Sequence, residues 1–400
     1  MVLPATRTVR TRMAEWRVGV LRGRASRASL ALAACTALTA CASRVASRPS
    51  PPQPQAPALS GVAARLDSVV KAYAAAGDLS GAVLVADHGQ VVYERAVGEA
   101  NRELHVPNSV ATRFRIASTT KQFTAALVLR LVEQGKLRLD GRIVDYLPDY
   151  PRPQGERVTL HQLLSHTAGL PDYPRLPRFY DDRATRAHTT AELVALFDSL
   201  PLTHEPGARW DYSNSHYVVL GAVIERVTGE SYATALRTRL LEPLGLRETA
   251  YDDPLPVVEG RAAGYVRTPD GIVNAPYIDP SVVFAAGMLR STTHDLLRWA
   301  GLLREGRVFR DSASAAAMFK AHADTGLPLG GYGYGVFVGT QTLGGRAVRV
   351  VQHGGTIHGF AAGFWRMPDE DRVVVVLDNT MNPKVPALTA ALAGVLYDPR

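Results

Sequence analysis

The segment Phe114–Lys121 reads FRIASTTK and stands immediately before an apolar stretch that runs to about Glu133. Its first four residues favour an extended backbone, and the apolar pattern that follows predicts a helix closed by Gly135. Side chains three residues apart lie on the same helix face. The segment therefore predicts a helix over about 118–133 whose first turn presents Ser118 and Lys121 side by side.

A serine and a lysine in this arrangement suit acyl transfer. A serine hydroxyl is a weak nucleophile until a base takes its proton, and an unprotonated lysine amine can do so, whereas an arginine guanidinium stays charged. Lysine is rare here, since the chain carries 45 lysines and arginines but uses lysine at only five positions: Lys71, Lys121, Lys136, Lys320 and Lys384. The pattern favours a nucleophilic Ser118, with an ordinary N-cap serine as the alternative.

Ser68 and Lys71 form a second S-x-x-K pattern. They fall inside an amphipathic stretch with no chain break before the serine and no glycine beside it. We interpret Ser68 and Lys71 as part of the solvated face of a helix, and not as a second active site.

The N-terminus has the pattern of an export signal. Residues 1–27 contain seven arginines and one acid, and an apolar run follows over 28–40. A membrane-spanning helix needs about 20 apolar residues, so this run is too short to be one and fits the hydrophobic region of a signal peptide.

The apolar run ends in Leu38–Cys41 (LTAC), which resembles the lipobox of bacterial lipoproteins. The resemblance implies cleavage before Cys41 and lipid attachment to it, and Ala42 after the cysteine implies the outer membrane, facing the periplasm. The segment Leu32–Cys35 also matches, but less apolar sequence precedes it. We therefore predict a lipoprotein signal peptide over 1–41, a proline-rich tether over 42–58 and a folded domain over 59–400.

Composition excludes several kinds of function. The formal net charge of +8 is carried by residues 1–58, which hold nine arginines and one acid, so the remaining residues are neutral overall and nucleic-acid binding is not expected. Cys35 and Cys41 are the only cysteines and both lie in the signal segment. No histidine pair has the spacing of a zinc protease, so neither a metal nor another cofactor is expected.

Strand signals concentrate at the two ends of the domain and helical signals in between. The pattern predicts terminal helices at 59–76 and 386–396, a hairpin at 81–86 and 90–93, and strands at 334–340, 347–352, 360–367 and 372–377. This indicates an α+β fold, with an antiparallel sheet flanked by the terminal helices and a mainly helical lobe inserted over about 118–303. A cleft is expected where lobe and sheet meet.

Two further segments could carry chemistry. Tyr212-Ser213-Asn214 opens a predicted helix that ends at Gly229, where a serine or asparagine could equally be a helix cap. The segment His353–Thr356 (HGGT) lies at a predicted strand end, where the two glycines would allow another backbone to approach closely, as an acyl group lying beside the sheet edge would require. A glycine-rich turn is the alternative. His166 is interpreted as a structural histidine that ties a loop by hydrogen bonds.

In order along the chain, these three segments resemble the S-x-x-K, Y-x-N and H/K-x-G signatures of the serine penicillin-recognising family. The resemblance covers about 59–400 and extends to the segments Leu163–Leu170, Glu242–Leu246 and Ala286–Thr292. It is closest to class C β-lactamases, D-alanyl-D-alanine carboxypeptidases and related esterases. The fold that it implies is the β-lactamase/transpeptidase-like one.

The resemblance also implies a role for each matching residue. Ser118 would attack the substrate carbonyl, with Lys121 and Tyr212 sharing the proton transfers and the choice of base left open. The other implied contacts with substrate come from Asn214, His353, Gly354, Gly355 and Thr356. The backbone amides of Ser118 and Thr356 would form the oxyanion hole.

His353 departs from the lysine that class C β-lactamases carry at this position. A histidine with an ordinary pKa of about 6.5 is mostly neutral at pH 7, so a substrate carboxylate would be held well only as His353 becomes protonated. This favours peptidase or esterase activity on a small-molecule or peptide substrate, with a class C β-lactamase as one alternative. The alternative from another class is a non-catalytic protein of the same fold that binds cell-wall peptide or a partner protein, and such a protein would have no need of Lys121 and Tyr212. The oligomeric state is left open.

Overall fold

The computed structural model describes residues 61–398, and an antiparallel sheet forms the centre of this region. In the described chain the sheet has eight strands in the order β10-β11-β12-β13-β14-β15-β1-β2. Their bounds are β1 Gly81–Asp87, β2 Gln90–Val97, β10 Ala323–Leu327, β11 Gly330–Tyr332, β12 Phe337–Leu343, β13 Arg346–Ile357, β14 Phe360–Met367 and β15 Arg372–Asp378. The two ends of the domain meet where β1 pairs with β15, as predicted.

Each face of the sheet is covered by a different part of the chain. Along β1, Val83 and Val85 pack into one buried cluster with the terminal helices α1 (Gly61–Ala75) and α14 (Val385–Tyr397). Leu84 belongs to a larger cluster shared with the inserted lobe. Alternate side chains of a strand point to opposite faces, so one apolar run fills both layers.

The inserted lobe is mainly helical. Its helices are α2 Thr120–Glu133, α3 Ile143–Tyr146, α4 Arg152–Gly155, α5 Leu160–Leu164, α6 Phe179–Asp182, α7 Thr190–Val194, α8 Asn214–Thr228, α9 Tyr232–Leu236, α10 Glu242–Leu244, α11 Pro280–Gly287 and α12 Thr293–Arg304, with α13 Ser312–Phe319 leading back to the sheet. Short strands lie before and within it: β3 Glu99–Asn101, β4 Val106–Pro107, β5 Phe114–Arg115, β6 Ala250–Tyr251, β7 Tyr265–Thr268, β8 Gly271–Asn274 and β9 Leu289–Ser291. Of these, only the extended backbone at β5 was predicted. The α+β prediction is confirmed, and these strands add two-stranded pairs and a small β5-β9-β6 sheet.

Several local predictions can be compared with the structure directly. Ser68 and Lys71 are exposed on α1, as interpreted from the sequence. Strand β13 runs five residues further than predicted, so His353–Thr356 lies within the strand and the glycine-rich turn is wrong.

The predicted signal peptide, tether and lipidated Cys41 lie outside the described residues. Among the residues from 61 to 398, no helix has the length and apolar character needed to cross a bilayer.

Candidate active site

Ser118 lies in a single 3₁₀ turn, Ala117–Thr119, that leads directly into α2. Ala117 before it has a positive φ of 46°, a conformation that is strained for a residue with a side chain and that occurs often at functional sites. No helix-capping hydrogen bond is made by a side chain at this end of α2, which excludes the N-cap alternative for Ser118. The half-buried Ser118 lines a cleft of about 280 Å³ together with Tyr212, Asn214 and Thr356.

Strand β13 passes very close to the turn that carries Ser118. A Cβ atom built on Gly355 would lie 2.3 Å from the backbone nitrogen of Ser118 and 2.6 Å from the Ala117 Cβ. These separations are far below van der Waals contact, so only glycine lets the strand lie here. Gly355 therefore allows another backbone to approach closely, but this backbone is the turn that carries the serine and not the acyl group of a substrate.

Lys121 is completely buried and its amine has three oxygen neighbours. The Nζ atom lies 3.1 Å from Ser118 Oγ, 3.0 Å from Asn214 Oδ1 and 2.7 Å from the carbonyl oxygen of Ala286. The Ala286 carbonyl belongs to α11, whose backbone leaves helical geometry at Phe284 (φ 45°, ψ −135°). The sequence predicted the Ser118–Lys121 pair but not the Ala286 carbonyl.

The protonation of Lys121 is set by its burial. Burial lowers the pKa of Lys121 to about 7, and the negative charge of Asp172 partly opposes the change. A neutral amine has two N–H bonds and one lone pair. The Ala286 carbonyl and Asn214 Oδ1 can only accept, so they take the two N–H bonds and leave the lone pair facing the Ser118 hydroxyl. The site thus holds a base already aligned with its nucleophile.

Tyr212 is a poorer base than Lys121 in these surroundings. Burial raises the pKa of Tyr212, although a hydrogen bond with Ser118 acts in the opposite direction. The Lys121 Nζ atom lies 4.8 Å from the centre of the Tyr212 ring. At neutral pH Lys121 can therefore be unprotonated while Tyr212 keeps its proton.

We expect kcat/KM for a neutral p-nitrophenyl ester to rise with pH through about 7. Below this pH Lys121 is an ammonium ion and cannot accept a proton, so activity should fall about tenfold per pH unit. A pH–rate profile from 5 to 10 checks this. A rate that shows no plateau above pH 7 and still rises about tenfold per unit at pH 10 would identify Tyr212 as the base, contrary to the expectation.

Asp172 is a site residue that the sequence analysis missed. Its Oδ1 atom accepts hydrogen bonds from the Asn214 backbone N–H at 2.7 Å and from Asn214 Nδ2 at 3.1 Å. It therefore caps α8, a role that had been considered for Ser213 or Asn214, and it turns the Asn214 amide so that Oδ1 faces Lys121. The two residues are 42 positions apart, and no local pattern connects them.

Replacing Asp172 by Asn should change both the rate and its pH dependence. Asparagine keeps one acceptor oxygen but loses the charge that strengthens both hydrogen bonds from Asn214, so the Asn214 amide would be held less firmly and we expect about tenfold lower kcat/KM at pH 8. The negative charge that raises the Lys121 pKa would also be gone, so the rise in activity should move to lower pH. Asp198→Asn, a half-buried carboxyl that lines a different cavity, is the control. An unshifted profile in Asp172→Asn would contradict this role.

The structure corrects the prediction for His353. Its side chain is 3% exposed and is not among the residues that line the cleft. The Tyr332 hydroxyl donates to Nε2 at 3.0 Å and Nδ1 donates to the Gly354 carbonyl, which satisfies a neutral ring. Burial, with repulsion from Lys121, lowers the pKa of His353 to about 3. The expected carboxylate binding as His353 titrates near pH 6.5 is therefore wrong. Gly354 and Gly355 are likewise outside the cleft lining.

His166 has the structural role that was predicted for it. It is fully buried, its Nδ1 atom lies 2.9 Å from His216 Nδ1, and its carbonyl accepts from the Asp211 N–H at 2.8 Å. The ring lies 4.3 Å from that of Tyr212. His166 thus holds the segment that presents Tyr212.

In the region that the structure describes, no group of three or more histidine, cysteine, aspartate or glutamate side chains is arranged to hold a metal ion.

Comparison with known proteins points to one family. The family model described as Beta-lactamase matches residues 66–397. Esterase EstB of Burkholderia gladioli is 34% identical over 379 residues, covering 84% of this chain and 95% of EstB. Penicillin-binding protein 4* of Bacillus subtilis is 29% identical and covers 75% of this chain and 68% of that protein.

Solved structures agree on the fold. A penicillin-binding protein from Bacillus halodurans superposes with a TM-score of 0.73 at 27% identity, covering 82% of this chain and 98% of the other. The match extends over the sheet and the inserted lobe alike.

Proposed function

The chain belongs to the beta-lactamase family and is a serine hydrolase, and from this premise we propose that it forms its acyl-enzyme on Ser118 with carboxylic ester or peptide substrates. The observation that carries the proposal is the buried Lys121 amine, whose lone pair is directed at Ser118 Oγ by two neighbours that can only accept hydrogen bonds. A protein that only bound ligands would gain nothing from so costly a burial.

The proposed reaction begins with attack of Ser118 Oγ on the substrate carbonyl while Lys121 accepts the hydroxyl proton. The backbone amides of Ser118 and Thr356 stabilise the negative oxygen of the tetrahedral intermediate, and Asn214 orients the substrate. The proton then passes to the leaving group by way of Lys121 or Tyr212. In the second half, a water attacks the acyl-enzyme and gives its proton to the same base, which releases the acid and restores Ser118.

Esters are the substrates that we favour. Neutral, buried His353 offers no cation at the position where a lysine stands in class C β-lactamases, which disfavours β-lactams and C-terminal carboxylates held at that point. The similarity to an esterase over nearly the whole length of both proteins supports the same choice. A D-Ala-D-Ala-type peptidase and a class C β-lactamase are the alternatives.

Labelling with a fluorescent fluorophosphonate, followed by mass spectrometry of the labelled peptide, tests the proposal. We expect one adduct, on Ser118, and none in Ser118→Ala. Ser68→Ala, at the other S-x-x-K pattern, is the matched control and should label normally. An adduct elsewhere, or none, would overturn the assignment. Rates on a p-nitrophenyl ester, a D-Ala-D-Ala peptide and a chromogenic cephalosporin then rank the three substrate classes.

We also propose that the mature protein is anchored through a lipid on Cys41 and faces the periplasm from the outer membrane. The support is the sequence alone: an arginine-rich start, a short apolar run and a lipobox-like ending. Cys41→Ser should move the protein from the membrane fraction to the soluble periplasmic fraction. Cys35→Ser is the control and should leave it in the membrane. Membrane retention of Cys41→Ser would refute the proposal.

A further inference from the structure

Three arginines surround one buried carboxylate near the nucleophile. Asp252 has a side chain that is 1% exposed; its oxygens lie 2.7 Å from Arg115 Nε, 3.5 Å from Arg261 Nη1 and 3.6 Å from Arg290 Nη1. Arg115 lies on β5, three residues before Ser118. Arg290 lies directly opposite it on β9, in the pairing of these two strands. One negative charge is thus shared by three positive charges.

The cluster keeps an excess of positive charge. Two acids close to these arginines along the chain or by contact are engaged elsewhere: Glu248 pairs with Arg113, and Asp253 gives Arg261 only its backbone carbonyl while its carboxylate accepts from the Leu255 N–H. Within the described residues, the terminal nitrogens of Arg115 have no hydrogen-bond partner, and the buried Nε of Arg290 has none either. Arg115 lines the pocket described next, so its terminal nitrogens can donate to an anion there.

Arg115 and Arg261 line a pocket of about 250 Å³ beside the catalytic cleft. Ile278 and His358 contribute to the walls of both spaces, so the pocket lies directly beside the cleft. His358 follows directly after Thr356 and Ile357, which line the cleft along β13. This order of residues gives the shortest route from Ser118: an acyl chain lying beside β13 would pass His358 to enter the pocket lined by Arg115 and Arg261.

We propose that this pocket binds a carboxylate at the far end of the substrate's acyl chain. The proposal rests on the proposed acyl-enzyme function and extends it to a substrate class, the esters of dicarboxylic acids or of acyl groups with a terminal carboxylate. Arg115 and Arg261 supply the positive charge, and the carboxylate binds at a place distinct from position 353. Arginine is well suited to this, since its planar donors match both oxygens of a carboxylate.

The test compares mono-p-nitrophenyl esters of the six-, eight- and ten-carbon linear dicarboxylic acids with the same esters capped as methyl esters. Each pair has the same acyl length and leaving group and differs in one charge. In the wild type we expect kcat/KM to favour the charged ester at least tenfold at one chain length, with the preference reduced by added salt.

Arg261 is the residue to change. Its contact with Asp252 is long, and the Asp252 carboxylate keeps its closer partner Arg115 when Arg261 is replaced. Arg261→Gln should reduce the charged-to-neutral ratio about fivefold and leave the neutral ester nearly unaffected, while Arg261→Lys should keep most of the preference. Arg226→Gln, which removes an equal charge from a different cavity, should not alter the ratio.

The outcomes separate the two proposals. If the neutral esters are not hydrolysed through Ser118, the proposed function fails first. If they are hydrolysed but the wild-type ratio stays near one at every chain length, or is unchanged in Arg261→Gln, then the arginines serve only to hold Asp252 and the pocket does not bind substrate. The wild-type chain-length series decides the matter even if Arg261→Gln does not fold.

Discussion

Lys121→Met lowers kcat/KM about a thousandfold or more for every ester that the protein hydrolyses. Methionine has nearly the length of lysine but no lone pair that can take the Ser118 proton. General bases contribute about 10²- to 10⁴-fold, and loss of a member of a coupled catalytic group lies at the upper end of that range. Steady-state kinetics on a p-nitrophenyl ester measure the effect.

The same substitution should change how stability depends on pH. Lys121 has a pKa of about 7 in the folded protein and 10.5 when unfolded. Between these values the unfolded chain binds the extra proton, so wild-type stability should rise with pH by about 2 kcal/mol between pH 7 and pH 9 relative to Lys121→Met. Chemical denaturation of both proteins at the two pH values measures the difference.

Lys71→Met is the matched control, since Lys71 occupies the same position in the second S-x-x-K pattern but is exposed and pairs with Asp67. It should keep the activity of the wild type and the same change in stability between pH 7 and pH 9, since its effect on the Asp67 pKa acts only at acid pH. Substantial activity in Lys121→Met would mean that another group, with Tyr212 the nearest, accepts the proton.

Gly355→Ala should reduce kcat about a hundredfold or more by adding a single methyl group. Its Cβ would fall 2.3 Å from the Ser118 backbone nitrogen, so either β13 or the turn of the nucleophile must move. A shift of about 1 Å in a catalytic group can cost 10²-fold, and forcing an extra carbon into packed surroundings typically costs 1–3 kcal/mol of stability. Kinetics together with thermal unfolding record both effects.

Gly394→Ala is the control, because Gly394 lies in α14 and a Cβ built there meets no atom within 4 Å. Alanine favours helix, so this variant should be as stable as the wild type or slightly more stable, with unchanged activity. Wild-type kinetics in Gly355→Ala would show that the strand and the nucleophile can separate without loss of function.

Some contacts in the site can be predicted from the sequence and others cannot. Ser118 and Lys121 are three positions apart on one helix, so the backbone period alone brings them together. Asp172 reaches Asn214 across 42 positions and the Ala286 carbonyl reaches Lys121 across 165, and such pairs are formed only when the lobe packs. The arginines around Asp252 are similar: Arg115 and Arg290 meet through the pairing of β5 with β9, and Asp252 directly follows β6, all strands too short to leave a pattern.

What the sequence determined by itself is therefore the family, the α+β layout and the order of the motifs, because these depend on local periodicity and on short spacings along the chain. Which side chains are in contact, and which of the titratable groups in the site are protonated, depends on the tertiary structure. His353 shows the difference: its residue type predicts titration near neutral pH, but its place within β13 buries it beside Tyr332 and lowers its pKa to about 3. Burial and charge depend on neighbours in space, and those neighbours come from distant parts of the chain.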